Sequence, residues 1–242
     1  EGQPYGVIVG KKLNRTEAGE VIYENGLPTF DDKVSVLGNG NYDFTLGFRN
    51  AFSYKNLSMS VLVDMKFGAD VYSMSKMQSH VNGTSKETLE GREGWYASEQ
   101  ARLSANVDAK DWTPTGGYVG KGVKAVTDAD GNVSYVPNDV YVDPAKYWQA
   151  LQNSSPEPFI CDNSFVKLRE VSLSYSCPKK WFVHTPIESV TLSAYGRNLL
   201  LIYSKVDNID PESSYNNGNG QGFEYGSLPS RRTFGFGINV KF

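Results

Sequence analysis

The residues able to perform catalysis or to bind a metal ion are few in this sequence and widely separated. His80 and His184 are its only histidines, and their distance along the chain argues against a histidine metal site or a catalytic triad. Both are therefore expected to be solvated loop residues. The segment DADGN, residues 128–132, resembles part of a calcium-binding loop. Val126 and Pro137 would occupy the first and twelfth ligand positions of an EF-hand, so a tight hairpin turn is favoured.

Phosphate binding and carboxylate catalysis find equally little support. The segment GNGQG, residues 218–222, is not followed by the Lys-Ser/Thr pair of a phosphate loop and lacks its strand-to-helix context. The carboxylate pairs Asp31–Asp32 and Asp207–Asp210 show no partner at catalytic spacing. The sequence thus predicts a protein that is not an enzyme and that has no metal ion or cofactor.

Aromatic residues in the two longest connections are better candidates for binding. Aromatic rings contact sugar faces and peptides, and nearby Asn, Asp and Arg side chains suit either ligand. Long loops also bury aromatic rings to hold their own shape. Packing, contact with a partner protein and contact with a ligand therefore remain open for each residue. The candidates are Trp95, Tyr96, Trp112, Tyr147, Trp148, Tyr215 and Tyr225.

Composition limits the class of protein. The chain has 242 residues, of which 39% are hydrophobic and 21% charged, and its net charge is -3. No cluster of Lys and Arg suits a nucleic-acid surface. No run approaches the roughly 20 consecutive apolar residues that a membrane-spanning helix requires. A transmembrane β-barrel remains possible, because only alternate residues of its strands face lipid.

Five segments alternate apolar and polar side chains with a period of two, as strands with one apolar face do. They cover residues 42–54, 57–67, 165–176, 187–203 and 231–242. The alternation is lost between Lys167 and Glu170, which indicates either a β-bulge or a strand end that emerges from an apolar environment. The residues predicted to face lipid are Phe44, Leu46, Phe48, Val61, Val63, Leu192, Phe234, Phe236, Ile238, Val240 and Phe242. The residues predicted to face a polar lumen are Asp43, Arg49, Asp64, Lys66, Arg197 and Lys241.

The lengths of the connections favour a membrane barrel. Lys55 and Asn56 alone join the first two segments, whereas residues 70–163 and 204–229 form long connections. Short turns on one side and long loops on the other are typical of outer-membrane barrels. At about 3.3 Å per residue and about 45° of tilt, a strand of about 13 residues crosses the ~30 Å hydrocarbon core. The aromatic residues near strand ends are expected in the interfacial girdles, namely Tyr42, Tyr54, Tyr175 and Phe242.

The sequence therefore predicts an all-β fold, an antiparallel transmembrane β-barrel segment of about five long strands with long extracellular loops. The predicted segments are an extracellular loop and strand entry (1–41), a first barrel hairpin (42–69), a long extracellular loop (70–163) and the last three barrel strands (164–242) with a loop at 204–229. Asp143 and Pro144 suit the start of a short helix near 143–151. This topology leaves the carboxy terminus in the periplasm. The alternative is a soluble carbohydrate-binding β-sandwich, in which a second sheet would cover the apolar face.

The two cysteines test the strand assignment. Cys161 precedes the third strand and Cys177 follows it, so roughly 50 Å of extended chain separates them. A disulfide requires Cα atoms within about 7 Å, and two free thiols are predicted.

Motifs along the chain resemble one family. The chain resembles the carboxy-terminal portion of SusC/RagA-type TonB-dependent outer-membrane transporters at four motifs in the family's order: FVKLREVSLSYSCPKKW, VTLSAYGRNLLL, DPESS and GFEYGSLPSRRTFGFGINVKF. The segments YDFTLGFRNAFSYKNLSMSVLVDMKFGADVYS and EGQPYGVIVGKKLNRTEAGEVIYENG resemble the stretches that precede these motifs. The resemblance is weakest between residues 100 and 155.

The resemblance implies a larger barrel of about 22 strands with an amino-terminal plug. It implies TonB-dependent import of a large nutrient, a glycan or a peptide, across the bacterial outer membrane, with this chain forming carboxy-terminal barrel strands. The implied partners are the remainder of the barrel and the plug, a SusD-like surface lipoprotein, TonB acting through an amino-terminal region, and outer-membrane lipid. The loop aromatics and the helix near 143–151 are then candidates for contact with the lipoprotein. No nucleic acid is implied.

Five strands alone cannot enclose an aqueous lumen, because barrel diameter grows with strand number. The segments at residues 42–54 and 231–242 would be open edges, which leave backbone groups unpaired in lipid. We therefore expect the chain to be the end of a longer polypeptide, or another chain to supply the missing strands.

Overall fold

A computed structural model of the chain describes residues 2–213, 218 and 220–242. The strands, in chain order, are β1 (Val7–Leu13), β2 (Ile22–Glu24), β3 (Leu27–Pro28), β4 (Phe30–Asn39), β5 (Phe44–Tyr54), β6 (Leu57–Phe67), β7 (Asp70–Ser73), β8 (Val123–Thr127), β9 (Val133–Pro137), β10 (Ile160–Asp162), β11 (Phe165–Ser176), β12 (Ser189–Ser204), β13 (Phe223–Glu224) and β14 (Thr233–Lys241). The α-helices are α1 (Met74–Val81), α2 (Arg92–Ser104) and α3 (Pro144–Ser154). Short 3-10 helices lie at Lys86–Leu89, Ala109–Asp111, Glu157–Phe159 and Lys179–Trp181. No helix in this described part of the chain has the length and apolar character needed to cross a membrane.

The chain folds as two compact units. The helical unit comprises the residues up to 38 and residues 72–160, and the sheet unit comprises residues 39–71 and 161–242. Residues 70–163, predicted to be a long extracellular loop with a short helix, contain the helices α1, α2 and α3 and the hairpin of β8 and β9. Whether this stretch is extracellular stays a prediction. Most of this stretch folds together with the start of the chain.

The helical unit has an aromatic core. Asp143 is the N-cap of its α3 helix, and the Asp143 carboxylate accepts a hydrogen bond from the N–H of Ala145 at 2.9 Å, as expected of an N-cap followed by proline. Tyr147 and Leu151 lie one helical turn apart on its buried face. The strands form a sheet of order β3-β2-β8-β9 and a pair of β1 and β4. The core residues are Tyr23, Met77, Tyr118, Tyr147, Leu151 and Phe159.

The sheet unit is built on one antiparallel sheet of order β14-β12-β11-β6-β5. Two residues, Lys55 and Asn56, connect β5 to β6, and Lys55 has the positive φ of 53° that tight hairpin turns favour. The register places apolar residues of neighbouring strands directly opposite one another. The opposed pairs include Phe48 with Val63, Val61 with Val171, Leu173 with Ala194, and Ala194 with Phe236. The predicted antiparallel order and single apolar face are therefore confirmed.

The apolar face of this sheet is uncovered. Phe236 is 87% exposed, and Phe44, Phe48 and Leu192 are exposed as well. A β-sandwich would bury these side chains beneath a second sheet. No second sheet covers this face in the residues that the structure describes, so the sandwich alternative does not account for the fold.

Of the two possibilities for the lost alternation in β11, the structure shows a β-bulge. The pairing of β11 shifts between Leu168 and Glu170 against both of its neighbours. The bulge moves Glu170 to the polar face, where its carboxylate accepts a hydrogen bond from Arg197 at 2.7 Å. The strands β5 and β14 form the two edges of the sheet, each with one neighbour in the described chain.

Candidate functional site

The residues predicted to face a lumen follow the polar side of the sheet. Asp64 and Lys66 alternate with the apolar residues of β6, and Arg49 lies opposite Leu62. Arg197 lies opposite Thr233, and Lys241 opposite Ser189. Asp43 precedes β5 by one residue, and its N–H donates to the carbonyl of Phe67 at 2.9 Å. The five residues that lie in strands share one face with the Ser and Thr side chains of the sheet, and whether that face lines a lumen stays a prediction.

A group of ion pairs, here called the ion network, joins residues 210–212 to the polar side of β11. Lys167 Nζ donates to Asp210 Oδ1 at 2.5 Å and to Glu212 Oε2 at 2.8 Å. The Arg169 guanidinium donates to both carboxylate oxygens of Glu212, at 2.8 and 2.6 Å, and to Asp64 Oδ2 at 2.5 Å. The side chain of Lys167 is only 5% exposed. Because a buried charge requires close partners, these contacts fix the 210–212 segment against the sheet.

Both carboxylates of residues 210–212 are ionised at neutral pH. Burial alone would raise the pKa of Asp210, but hydrogen bonds from Lys167 and Ser230 lower it to about 2. Burial would likewise raise the pKa of Glu212, whereas hydrogen bonds from Arg169 and Lys167 lower it to about 2. Hydrogen bonding to the charged form therefore outweighs desolvation at both positions.

A cavity of about 350 Å³, here called the polar cavity, lies beside the ion network and shares Glu212 with it. Asn163 and Ser213 line it and are 8% and 7% exposed. Asn163 Oδ1 and Ser213 Oγ nevertheless have no hydrogen-bond partner within the described residues. Lys66 also lines the cavity, with its ammonium 3.7 Å from Glu212 Oε1 and 5.3 Å from the ring centre of Tyr42.

Tyr42 also lines the polar cavity, which corrects the prediction that it lies in an interfacial girdle. Its hydroxyl accepts a hydrogen bond from Asn163 Nδ2 at 2.9 Å. The strand begins at Phe44, so the alternation that the sequence suggests does not extend to residue 42. Burial, followed by the charges of Glu212, Asp64 and Asp210, raises the pKa of Tyr42 to about 12. The phenol therefore stays protonated and can donate.

Three of the candidate aromatic residues surround a second cavity, here called the aromatic cavity, in the helical unit. Trp95, Tyr96 and Trp148 line this space of about 370 Å³ together with Arg92 and Asp143. Tyr96 is 68% exposed. Arg92 is fixed by hydrogen bonds to the carbonyls of Gly83 and Thr88 at 2.6 and 2.7 Å.

The other aromatic candidates have different surroundings. Tyr147 is a core residue whose hydroxyl lies 3.3 Å from that of Tyr23, so it is placed for packing and not for ligand contact. Trp112 donates its indole N–H to Ser98 Oγ at 3.0 Å. Tyr225 is half exposed, and its ring lies 6.1 Å from that of Phe223. Tyr215 lies outside the described residues.

The expectation that His80 is a solvated loop residue is wrong. His80 lies in α1, is 3% exposed, and packs its ring 4.4 Å from that of Trp148. Its Nε2 lies 2.5 Å from Glu87 Oε2, and hydrogen bonding to His80 lowers the pKa of Glu87. Within the described chain, no three His, Cys, Asp or Glu side chains cluster as metal ligands do. Neither Cys161 nor Cys177 forms a disulfide, as predicted.

Sequence reasoning missed the residues that build the polar cavity and the ion network. Asp210 has no visible partner in the sequence, yet Lys167 and Ser230 contact it from 43 and 20 positions away in the chain. The charged residues at the predicted bulge are the available signal, because Lys167 and Arg169 break an otherwise apolar and polar alternation. Asn163 and Ser213 carry no recognisable pattern.

Comparison with known proteins shows that the chain is similar to TonB-dependent receptors. No family model matches the chain. Two curated proteins of Formosa agariphila do: TonB-dependent receptor P3 is 27% identical over 222 residues, and TonB-dependent receptor P26 is 29% identical over 240 residues. These matches cover 89% and 97% of this chain. The resemblance to TonB-dependent receptors is confirmed. The chain spans about a fifth of these receptors, 18% of P3 and 20% of P26.

Solved structures show the same fold. The RagAB peptide importer in its closed-closed state matches 98% of this chain with a TM-score of 0.56 at 15% identity, covering 23% of the matched chain. The open-open state of the same importer matches with a TM-score of 0.53 at 14% identity, covering 22% of the matched chain. The five-stranded sheet is accordingly an open segment of the barrel fold found in receptors of this kind.

Proposed function

We propose that this chain forms part of the wall of a TonB-dependent transporter that imports a large nutrient, a glycan or a peptide, across the bacterial outer membrane. The observation that carries the proposal is the uncovered apolar face of the five-stranded sheet, which spans all five strands in register. Lipid is the solvent that suits such a face. The similarity to TonB-dependent receptors over most of the chain supports the same role.

The proposed arrangement assigns each surface a partner. The residues predicted to face lipid contact the hydrocarbon core, and the polar face lies toward the plug and the lumen. The edges β5 and β14 pair with the remainder of the barrel, since an open edge in lipid leaves backbone groups unsatisfied. A SusD-like lipoprotein contacts the helical unit outside the cell, TonB drives import from the periplasm, and the carboxy terminus lies on the periplasmic side. In this role the chain performs no catalysis.

Matched substitutions on the two faces of β5 test the proposal. Phe48 lies on the apolar face and Ala51 on the polar face of this strand, and both are exposed. An arginine facing mid-bilayer costs about 2–4 kcal/mol, whereas one facing a lumen does not. Phe48→Arg is therefore expected to reduce outer-membrane assembly and nutrient uptake strongly, and Ala51→Arg to leave both near normal.

Assembly is measured by membrane fractionation and heat-modifiable migration, and uptake by growth on the nutrient with and without TonB. If Phe48→Arg and Ala51→Arg assemble equally well, the proposed contact between the apolar face and lipid is rejected. Normal assembly combined with TonB-independent uptake would remove the transport assignment alone.

A further inference from the structure

The polar cavity of the sheet unit is lined by hydrogen-bond donors and by an acceptor that can each form a further hydrogen bond. The ammonium of Lys66 and the hydroxyls of Ser213 and Tyr42 are available as donors, since the phenol oxygen of Tyr42 accepts from Asn163 and its O–H remains free to donate. Asn163 Oδ1 is available as an acceptor, because the amide uses both of its other contacts to donate, to Tyr42 at 2.9 Å and to the carbonyl of Pro211 at 2.8 Å. Such groups are normally satisfied by protein, water or a ligand.

The carboxylate of Glu212, which lines the cavity, already accepts hydrogen bonds within the protein. Glu212 accepts hydrogen bonds on both carboxylate oxygens, from Lys167 and Arg169, at 2.6 to 2.8 Å. A cation entering the cavity would therefore find no free carboxylate and would meet the ammonium of Lys66. An acceptor-rich anion would instead meet three donors.

We propose that the polar cavity binds a carboxylate group that has a hydrogen-bond donor close to it. In this arrangement Lys66 and the hydroxyls of Tyr42 and Ser213 donate to the carboxylate, and Asn163 Oδ1 accepts from the neighbouring N–H or O–H. An acylated amino acid and a uronic acid share this chemistry. A volume of about 350 Å³ admits a group of either size.

Binding to the intact protein in detergent is measured by calorimetry with four probes. N-acetyl-alanine and galacturonate carry the carboxylate, and N-acetyl-alaninamide and galactose are their neutral counterparts. At least one of the two carboxylates is expected to bind at least tenfold more tightly than its neutral counterpart. The carboxylate that binds more tightly shows whether the cavity suits an acylated amino acid or a uronic acid. Equal affinity within each pair, or no binding by any probe, would show that the cavity holds only water and overturn the proposal.

Two variants separate a binding role from a structural role. Because Ser213 Oγ has no partner among the described residues of the free protein, Ser213→Ala is expected to leave thermal stability unchanged and to weaken carboxylate binding about threefold to tenfold. Lys66→Gln is expected to weaken it tenfold or more. Lys241→Gln, which removes a lysine paired with Glu188 in a separate surface contact, serves as the control and should bind normally.

Unchanged affinity in both Ser213→Ala and Lys66→Gln would reject the assignment of these residues. The measurement uses purified protein and does not depend on import. Failure of carboxylate binding would therefore leave the proposed transport role intact, and failure of transport would leave the binding result standing.

Discussion

The two units of this chain differ in which side chains they bury and which they expose. The helical unit buries a cluster of aromatic and aliphatic residues around Tyr147 and Phe159, as water-soluble domains do. The sheet unit exposes Phe44, Phe48 and Phe236 and buries Lys167 instead. Both units belong to one polypeptide, so the contrast teaches that different stretches of it suit different surroundings. Water accounts for the first arrangement. The second is the arrangement expected of the proposed barrel wall, with lipid on one side and a polar interior on the other.

The sharpest test of this contrast compares two phenylalanines. Phe159 is 1% exposed and Phe236 is 87% exposed. Phe159→Ala is expected to destabilise the helical unit by about 3–5 kcal/mol, because it leaves a cavity in a packed core. Phe236→Ala is expected to change stability by roughly 0.5 kcal/mol or less, since it alters a side chain already in contact with solvent or lipid. Hydrogen exchange of peptides from each unit measures both effects, and similar losses at the two positions would break the comparison.

The next largest effect is expected within the ion network. Lys167→Met leaves the carboxylates of Asp210 and Glu212 without their shared ammonium and should cost about 3 kcal/mol. Lys205→Met is the control, because Lys205 is half exposed and its ion pair with Asp162 lies at the surface, where such pairs contribute about 1 kcal/mol or less. Protease sensitivity of the 205–230 connection reports the difference, and equal sensitivity of the two variants would contradict a structural role for the network.

The smallest expected effect is the dependence of the same network on pH. The folded state lowers the pKa of Asp210 and of Glu212 to about 2. A lowered pKa stabilises the folded state fully above the unfolded value, so the contribution is complete above about pH 5 and is lost as the pH falls toward about 2. Between pH 7 and pH 3 the loss is on the order of 1–2 kcal/mol for each carboxylate, since lowering a pKa by one corresponds to about 1.4 kcal/mol and only part of each transition lies above pH 3.

Hydrogen exchange of the 205–230 connection between pH 7 and pH 3, corrected for the intrinsic rate, detects this loss. Glu212→Gln should make the profile clearly shallower, because one of the two titrating carboxylates is gone and Asp210 remains. A profile that keeps its slope in this variant would place the pH-sensitive group elsewhere.

Much of the sheet can be read from the sequence, for a simple physical reason. Side chains alternate between the two faces of a strand, so residues two positions apart lie on the same face. Phe234, Phe236 and Ile238 are therefore predicted to share a face without reference to the neighbouring strands. The bulge near Arg169 is visible as a break in the same period. The helix start at Asp143 is equally local. The helical unit cannot be recognised as a folded body in this way, because its core joins residues as distant as Tyr23 and Tyr147.

The sequence by itself determined the direction in which each strand side chain points and the apolar character of one face, because both follow from the geometry of consecutive residues. Only the tertiary structure decided which polar groups meet. Asn163, Ser213 and Lys66 come from three distant segments and line one cavity. Lys167 pairs with Asp210, which lies in a connection whose sequence shows no periodic pattern. Such contacts depend on how segments far apart in the chain pack together, and that information is not contained in any short stretch of residues.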